Sequence, residues 1–154
     1  GLGDVTVFIF FGLIAVNFTY YVQAGCFTIP VLMASVAQGV LAVNILLVNN
    51  YRDKEEDAAS NKRTTVVLFG RTFASVWYLV NGFVAVACTY HIWVAGSRWI
   101  MAIPLIYLFM HVKTYRALTQ RRGSYLNPLL GRTAMNLLLF TLLLVMAMVI
   151  IKVV

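Results

Sequence analysis

Residues 29–64 read IPVLMASVAQGVLAVNILLVNNYRDKEEDAASNKRT. The stretch up to Val48 is almost wholly apolar, and residues 49–64 hold four of the chain's five acidic residues: Asp53, Glu55, Glu56 and Asp57. About 20 mostly apolar residues are what a helix needs to cross a bilayer core. A membrane span that ends abruptly in a dense cluster of acids and bases therefore sets the frame for the rest of the chain.

The composition agrees. The protein is 62% hydrophobic and 11% charged, where an ordinary soluble domain is about a quarter charged. Its mean hydropathy is +0.86. Five stretches read as spans: A over Val5–Val22, B over Ile29–Val48, C over Thr72–Val94, D over Trp99–Val112 with Pro104 inside it, and E over Ala134–Val154. Span D is short, which tilt, a proline-associated kink or interfacial Tyr and His accommodate. The fold class expected is an all-α, multi-pass transmembrane helical bundle. Neither a repeat nor a low-complexity linker divides it. The opening residues, GLGDVTVFIFFGLIAV, lack the basic n-region and cleavage site of a signal peptide, and we read them as the interior of a longer protein.

The connections alternate. QAGCFT (23–28) and AGSR (95–98) are short and nearly uncharged. Residues 49–71 and 113–132 carry Arg52, Lys54, Lys62, Arg63 and Arg71, and Lys113, Arg116, Arg121, Arg122 and Arg132. That leaves Arg98 and Lys152 for the opposite side. Cytoplasmic loops are enriched in Lys and Arg, so both long connections and residue 1 are expected to be cytoplasmic and the C-terminus to lie outside. Topology then accounts for most of the net charge of +7, and no nucleic-acid partner is needed. Cys26 and Cys88 read as small apolar side chains rather than a disulfide, and no zinc pattern is present.

Asn49, Asp53 and Asp57 are spaced i, i+4, i+8. On a helix each such step drifts only about 40° around the axis, so the three share a face. Stacked carboxylates repel unless a cation lies between them, and an all-oxygen donor set suits Mg²⁺, which often binds through one or two carboxylates plus substrate phosphates. Arg52, Lys62 and Arg63 lie in the same segment, placed either to bridge the acids or to contact phosphate oxygens. A solvated, topology-setting loop is the plainer reading of the same residues. Glu55 and Glu56 fall off the shared face and read as solvated or salt-bridged.

The segment NNYRDKEEDAASNKRTTVVLFG (49–70) closely resembles the second aspartate-rich motif of the UbiA-type intramembrane prenyltransferases, and within them the 1,4-dihydroxy-2-naphthoate polyprenyltransferase (MenA) branch. TYYVQAG (19–25) and LNPLLGRTA (126–134) resemble that branch less specifically. The resemblance implies a nine-helix bundle in which two aspartate-rich motifs hold Mg²⁺ and a polyprenyl diphosphate at the cytoplasmic side. Spans A–E then match helices five to nine, so that residues 1–154 form the C-terminal half of one transmembrane domain. The N-terminal half, with the first metal motif, is missing, and the chain alone is expected to be inactive. The implied reaction is prenyl transfer to an aromatic acceptor, 1,4-dihydroxy-2-naphthoate of menaquinone synthesis, in the cytoplasmic membrane. Carried over by motif position, Asn49, Asp53 and Asp57 are the expected metal ligands, with Arg52, Lys62, Arg63 and Asn50 toward the diphosphate.

Other polar residues leave alternatives open. Gln38 shares the face of Asn49 and either lines a cavity or makes an interhelical hydrogen bond. The latter also serves Asn17 and Asn81. Tyr107, His111 and Tyr115 form an i, i+4, i+8 row that either approaches the aromatic substrate or belongs to an interfacial belt. Ser35 and Gly39 make a small-xxx-small step suited to close helix packing. Rival functions are a prenyltransferase with another acceptor such as 4-hydroxybenzoate, a membrane phosphotransferase, and a non-enzymatic bundle or transporter. A transporter should carry ionisable residues deep in its spans, whereas Gln38, Asn44 and Asn81 are neutral.

Overall fold

The computed structural model describes residues 2–151; Lys152 and the last residues of predicted span E lie outside them. Among the described residues seven helices succeed one another, α1 (Gly3–Ala24), α2 (Ile29–Arg52), α3 (Lys54–Ala59), α4 (Thr65–Cys88), α5 (Tyr90–Ala95), α6 (Arg98–Gln120) and α7 (Asn127–Ile151), with a 3₁₀ turn, Gly123–Leu126, before the last. No strand occurs among the described residues. Four helices, α1, α2, α4 and α7, are long and apolar enough to cross a membrane. The fold is thus the all-α membrane bundle that the composition anticipates.

Helix α2 is its hub, packed against α1, α4 and α7. Thr28 starts it by accepting a hydrogen bond from Val31 N at 3.4 Å, with Pro30 in the first turn, where a missing N–H costs nothing. Helix α1 widens to a π-helical segment over Phe8–Ile14 where it meets α2. A Cβ on Gly12 would stand 2.5 Å from Gly39 Cα, and one on Gly39 would stand 2.8 Å from the Phe8 ring. The two backbones approach so closely because neither position carries a side chain. Asn17 Nδ2 donates to Ser35 Oγ at 2.7 Å on the same seam. Small residues and a hydrogen bond replace the hydrophobic driving force that lipid does not supply.

Span boundaries differ from the sequence reading in three places. Helix α4 begins at Thr65, seven residues before predicted span C. Thr64 caps it, accepting from Val67 N at 3.2 Å. Gly70, at φ 82° and ψ 170°, then offsets the first turn from the rest, a conformation that side-chain-bearing residues avoid. The remainder of predicted span C ends in the separate short helix α5 after Thr89.

Helix α6 passes through Pro104 and continues past Val112 to Gln120, a length of 23 residues or about 34 Å at 1.5 Å per residue. Extension, rather than a kink, relieves the shortness of span D. The extension carries Lys113 and Arg116, and α6 does not join the four apolar spans. Helix α7 starts at Asn127, seven residues before predicted span E. Both cysteines are free.

The interior contains a layer of polar side chains that the helices satisfy among themselves. Asn81 Nδ2 donates to Asn44 Oδ1 at 2.8 Å, and Asn44 Nδ2 donates to Tyr78 O at 3.2 Å, joining α2 to α4. Asn136 Nδ2 donates to Thr114 Oγ1 at 3.0 Å, joining α7 to α6. Leaving such groups unpaired in an apolar medium costs several kcal/mol each, on the order of the whole stability of a domain when several are involved.

Candidate functional site

The charged connection folds back on the end of α2. Helix α2 stops at Arg52, and Asp53, at φ −92° and ψ 12°, joins it to α3. The four-residue backbone spacing nevertheless carries across the joint, since Asp53 N donates to Asn49 O at 3.0 Å and Asp57 N to Asp53 O at 2.8 Å. The return segment turns at Asn61, which adopts φ 57°, and Lys62 N donates to Asp57 O at 2.8 Å.

Two groups result. In the first, the Arg52 guanidinium spans Asp53 and Asn49: Nε to Asp53 Oδ1 at 2.6 Å, Nη2 to Asp53 Oδ2 at 2.8 Å and Nη2 to Asn49 Oδ1 at 2.9 Å. Its Nη1 reaches Asn127 Oδ1 at 3.0 Å, at the start of α7. The Arg52 hydrogen bond holds the Asp53 carboxyl below the usual carboxylate range, against a smaller opposing effect of burial. In the second, Lys62 Nζ donates to Asp57 Oδ1 at 3.0 Å. Asp57 is 7% exposed, and its Oδ2 is buried without a partner.

Beside these groups opens a pocket of about 400 Å³, walled by Gly3, Asp4, Leu46, Asn49, Asn50 and the return segment from Asn61 to Thr64. Four of the residues singled out by the sequence, Asn49, Asn50, Lys62 and Arg63, therefore meet on one cavity. Asp53 and Arg52 belong to the hydrogen-bonded group that shares Asn49, and Asp57 reaches the cavity through Lys62. Glu55 is salt-bridged to Arg71 in a two-point contact at 2.6 and 2.7 Å, which holds its carboxyl below the ordinary range. The two charged connections converge on Tyr51, whose buried ring lies under the Arg71 and Arg122 guanidinium groups at 5.4 and 5.7 Å.

Asp4 is the residue to which the sequence reading assigned no role. It sits in the first turn of α1, only 5% exposed, and accepts a hydrogen bond from Thr65 Oγ1 through Oδ2. Its Oδ1 is buried without a partner. The signal available was a lone acid just inside an apolar stretch, which in a membrane protein points to function or a buried partner.

Gln38, Tyr107 and His111 lie elsewhere. Gln38 Oε1 accepts from Thr141 Oγ1 of α7 at 3.0 Å. Tyr107 and His111 are each 1% exposed, with His111 stacked on Tyr78 at 4.7 Å between ring centroids. His111 Nε2 lies 3.1 Å from Tyr78 O, and its Nδ1 lies 3.3 Å from Tyr107 Oη. The space they share with Asn44, Thr133 and Asn136 leaves no room for a water molecule. These rings are internal packing at the centre of the bundle.

No group of three or more His, Cys, Asp and Glu side chains close enough to hold a metal ion occurs among the described residues. Asn49 lines the pocket while Asp53 and Asp57 lie behind it, paired with Arg52 and Lys62, and the orphaned Asp57 Oδ2 is the kind of atom a hard cation satisfies. The oxygen atoms of Asp53, Asp57 and Asn49 are chemically of the type that Mg²⁺ takes.

Residues 1–127 match the UbiA prenyltransferase family. The chain is 32% identical over 152 residues to a 1,4-dihydroxy-2-naphthoate octaprenyltransferase of Haemophilus influenzae, covering 93% of this chain and 47% of the relative. It is 31% identical to the Escherichia coli protein of the same description, covering 95% and 48%. It is 33% identical to the Homo sapiens UbiA prenyltransferase domain-containing protein 1, covering 90% and 40%. The chain thus spans about half the length of these curated relatives. No solved structure matches it. With a multi-pass apolar bundle and this similarity along nearly its whole length, the chain belongs to the UbiA prenyltransferase family.

Proposed function

We propose that this chain is the C-terminal half of an intramembrane aromatic polyprenyltransferase that transfers a polyprenyl group from polyprenyl diphosphate to 1,4-dihydroxy-2-naphthoate. The observation that carries the reading is the pocket at the end of α2, walled by Asn49, Asn50, Lys62 and Arg63 and backed by Asp57 with its spare oxygen, in a chain of this family. On this reading, the N-terminal half of the same enzyme, with four helices and a further aspartate-rich motif, completes the site. The charged connections face the cytoplasm, as the basic residues argue.

Asp53, Asp57 and Asn49 are the residues that would hold Mg²⁺, which supplies charge stabilisation to the departing diphosphate. Asp53 and Asp57 are paired with Arg52 and Lys62 in this structure, and binding a cation would require these pairs to open. The guanidinium and ammonium groups would then be available to the diphosphate, with Arg63 and the Asn50 amide on the same wall as Lys62. Ion pairs within the ligand-free site would thereby become ligand contacts in the filled one, and Asp53 and Asp57 would keep a cationic partner in both states.

The first carbon of the prenyl chain loses its bond to oxygen, and the acceptor's electron-rich ring carbon attacks the allylic cation that remains. The electron pair leaves with the diphosphate, and the ring position gives up its carboxyl group as carbon dioxide. Donors placed in advance around the leaving group are the usual source of such acceleration.

The test is reconstitution of this chain with a matching N-terminal half in liposomes, with polyprenyl diphosphate, 1,4-dihydroxy-2-naphthoate and Mg²⁺, and product detection by mass spectrometry. The expected result is demethylmenaquinol, detected as demethylmenaquinone after oxidation by air, that requires both halves, the metal, Asp53 and Asp57. Product only with 4-hydroxybenzoate would keep the chemistry and replace the acceptor. A folded assembly that transfers no prenyl group to either acceptor overturns the reading.

A further inference from the structure

Asp4 lines two adjoining spaces that differ in character. One is the polar pocket of about 400 Å³ with Asn49, Asn50, Lys62 and Arg63. The other is an apolar groove of about 170 Å³, walled by Val5, Phe8, Val40, Val43, Trp77 and Asn81. Because the two share Asp4, this carboxylate marks the junction between a cationic head site and an apolar track running along α1, α2 and α4.

An amphiphile with a diphosphate head and a hydrocarbon tail fits such a pair of spaces in one orientation. Its head lies against Lys62 and Arg63, and its tail runs past Phe8 and Trp77. The bond between head and tail then falls at the junction, and a reacting aromatic ring must come to the same place. At that place the protein keeps a carboxylate 5% exposed. One of its oxygens accepts from Thr65 and the other is buried without a partner. A buried carboxylate oxygen with no donor is costly, and a ring hydroxyl is a donor of the right size and chemistry.

We propose that Asp4 is an acceptor-binding residue: its free oxygen takes a hydrogen bond from a hydroxyl of the aromatic substrate and orients the ring at the junction of the two spaces. This inference rests on the prenyltransferase reading and adds to it the recognition of the acceptor. The hydrogen bond to a carboxylate also pushes electron density into the ring, which favours its attack on the prenyl carbon. No net proton transfer is required, because the ring position loses carbon dioxide. Thr65 has a separate task, tethering the start of α4 to α1.

The experiment compares Asp4→Asn, Asp4→Leu and Thr65→Val in the reconstituted two-half assembly, with farnesyl diphosphate and 1,4-dihydroxy-2-naphthoate varied in turn. Folding is checked by size-exclusion chromatography and thermal unfolding. Asp4→Asn keeps the shape and the ability to accept from Thr65 but removes the charge. It is expected to lower kcat/KM for the acceptor about 10- to 100-fold, as loss of a charged hydrogen bond does, while KM for farnesyl diphosphate stays within about threefold. Thr65→Val is expected to stay within about threefold on both substrates. If Asp4→Asn matches the wild type, or Thr65→Val and Asp4→Leu lose the same activity while Asp4→Asn keeps it, Asp4 is only a tether and the inference falls. A wild-type assembly without prenyl transfer overturns the functional reading and this inference with it.

Discussion

Two polar regions of this bundle can be set side by side. At its centre, Asn44, Tyr78, His111, Thr133 and Asn136 surround a space too small for water, and with Asn81 they form an internal layer in which donors meet acceptors across helices. At the end of α2, Asp57 and Asp4 each keep a buried oxygen without a donor, beside a cavity of about 400 Å³. Both regions take polar groups out of water. The central one finishes the accounting inside the protein, and the terminal one leaves it open for a ligand. Polarity alone does not mark a site; polarity left incomplete next to open space does.

That contrast breaks if the terminal carboxylates prove structural. Asp53→Ala and Asp57→Ala are expected to reduce prenyl transfer by about 10²- to 10³-fold, the scale for losing a group that stabilises the departing charge, with little change in the thermal unfolding midpoint. A large fall in that midpoint with activity retained would assign the acids to stability instead. The central layer should respond in the opposite sense. A Cβ at Gly82 would collide with the His111 ring, so Gly82→Ala is expected to destabilise the bundle by about 1–3 kcal/mol, the range for overpacking, read by denaturation in detergent.

Smaller still is the Asn44–Asn81 pair. A double-mutant cycle with Leu at each position should give a coupling of about 0.6–1.7 kcal/mol, the range for polar pairs in membranes. The smallest effect concerns Arg52 and Asp53, whose pair is partly exposed. The folded-state pKa of Asp53 lies below its unfolded value. The stability it contributes is therefore complete above about pH 4 and is lost as pH falls through the depressed value. Unfolding midpoints of the wild type and Asp53→Asn measured down through pH 4 should converge only at the acid end.

Much of this architecture can be read from residues near one another in the chain. The apolar run of α2 and the spacing of Asn49, Asp53 and Asp57 are local facts, and the helix carries them into space almost unaltered. Ser35 and Gly39 likewise announce a close contact without naming Gly12 as the other side. What escaped depends on tertiary neighbours. Asp4 gains its setting only when the start of α1 meets Thr65 at the start of α4, 61 residues later. Tyr107 and His111 resemble an interfacial row because Lys113 follows closely, yet α6 buries His111 against Tyr78 and Gly82 and Tyr107 against Phe140. The same basic residues hid the length of α6, since hydropathy counts a charged last turn as loop.

The contact between Gly12 and Gly39 bears on how such a sequence drifts. A methyl group on Gly12 meets the backbone of α2, and one on Gly39 meets the ring and carbonyl of Phe8. Neither helix can acquire a side chain at the crossing while the other stays in place. The pair acts as a ratchet on substitution: a change at either position requires the crossing to loosen, so the two helices must adjust together.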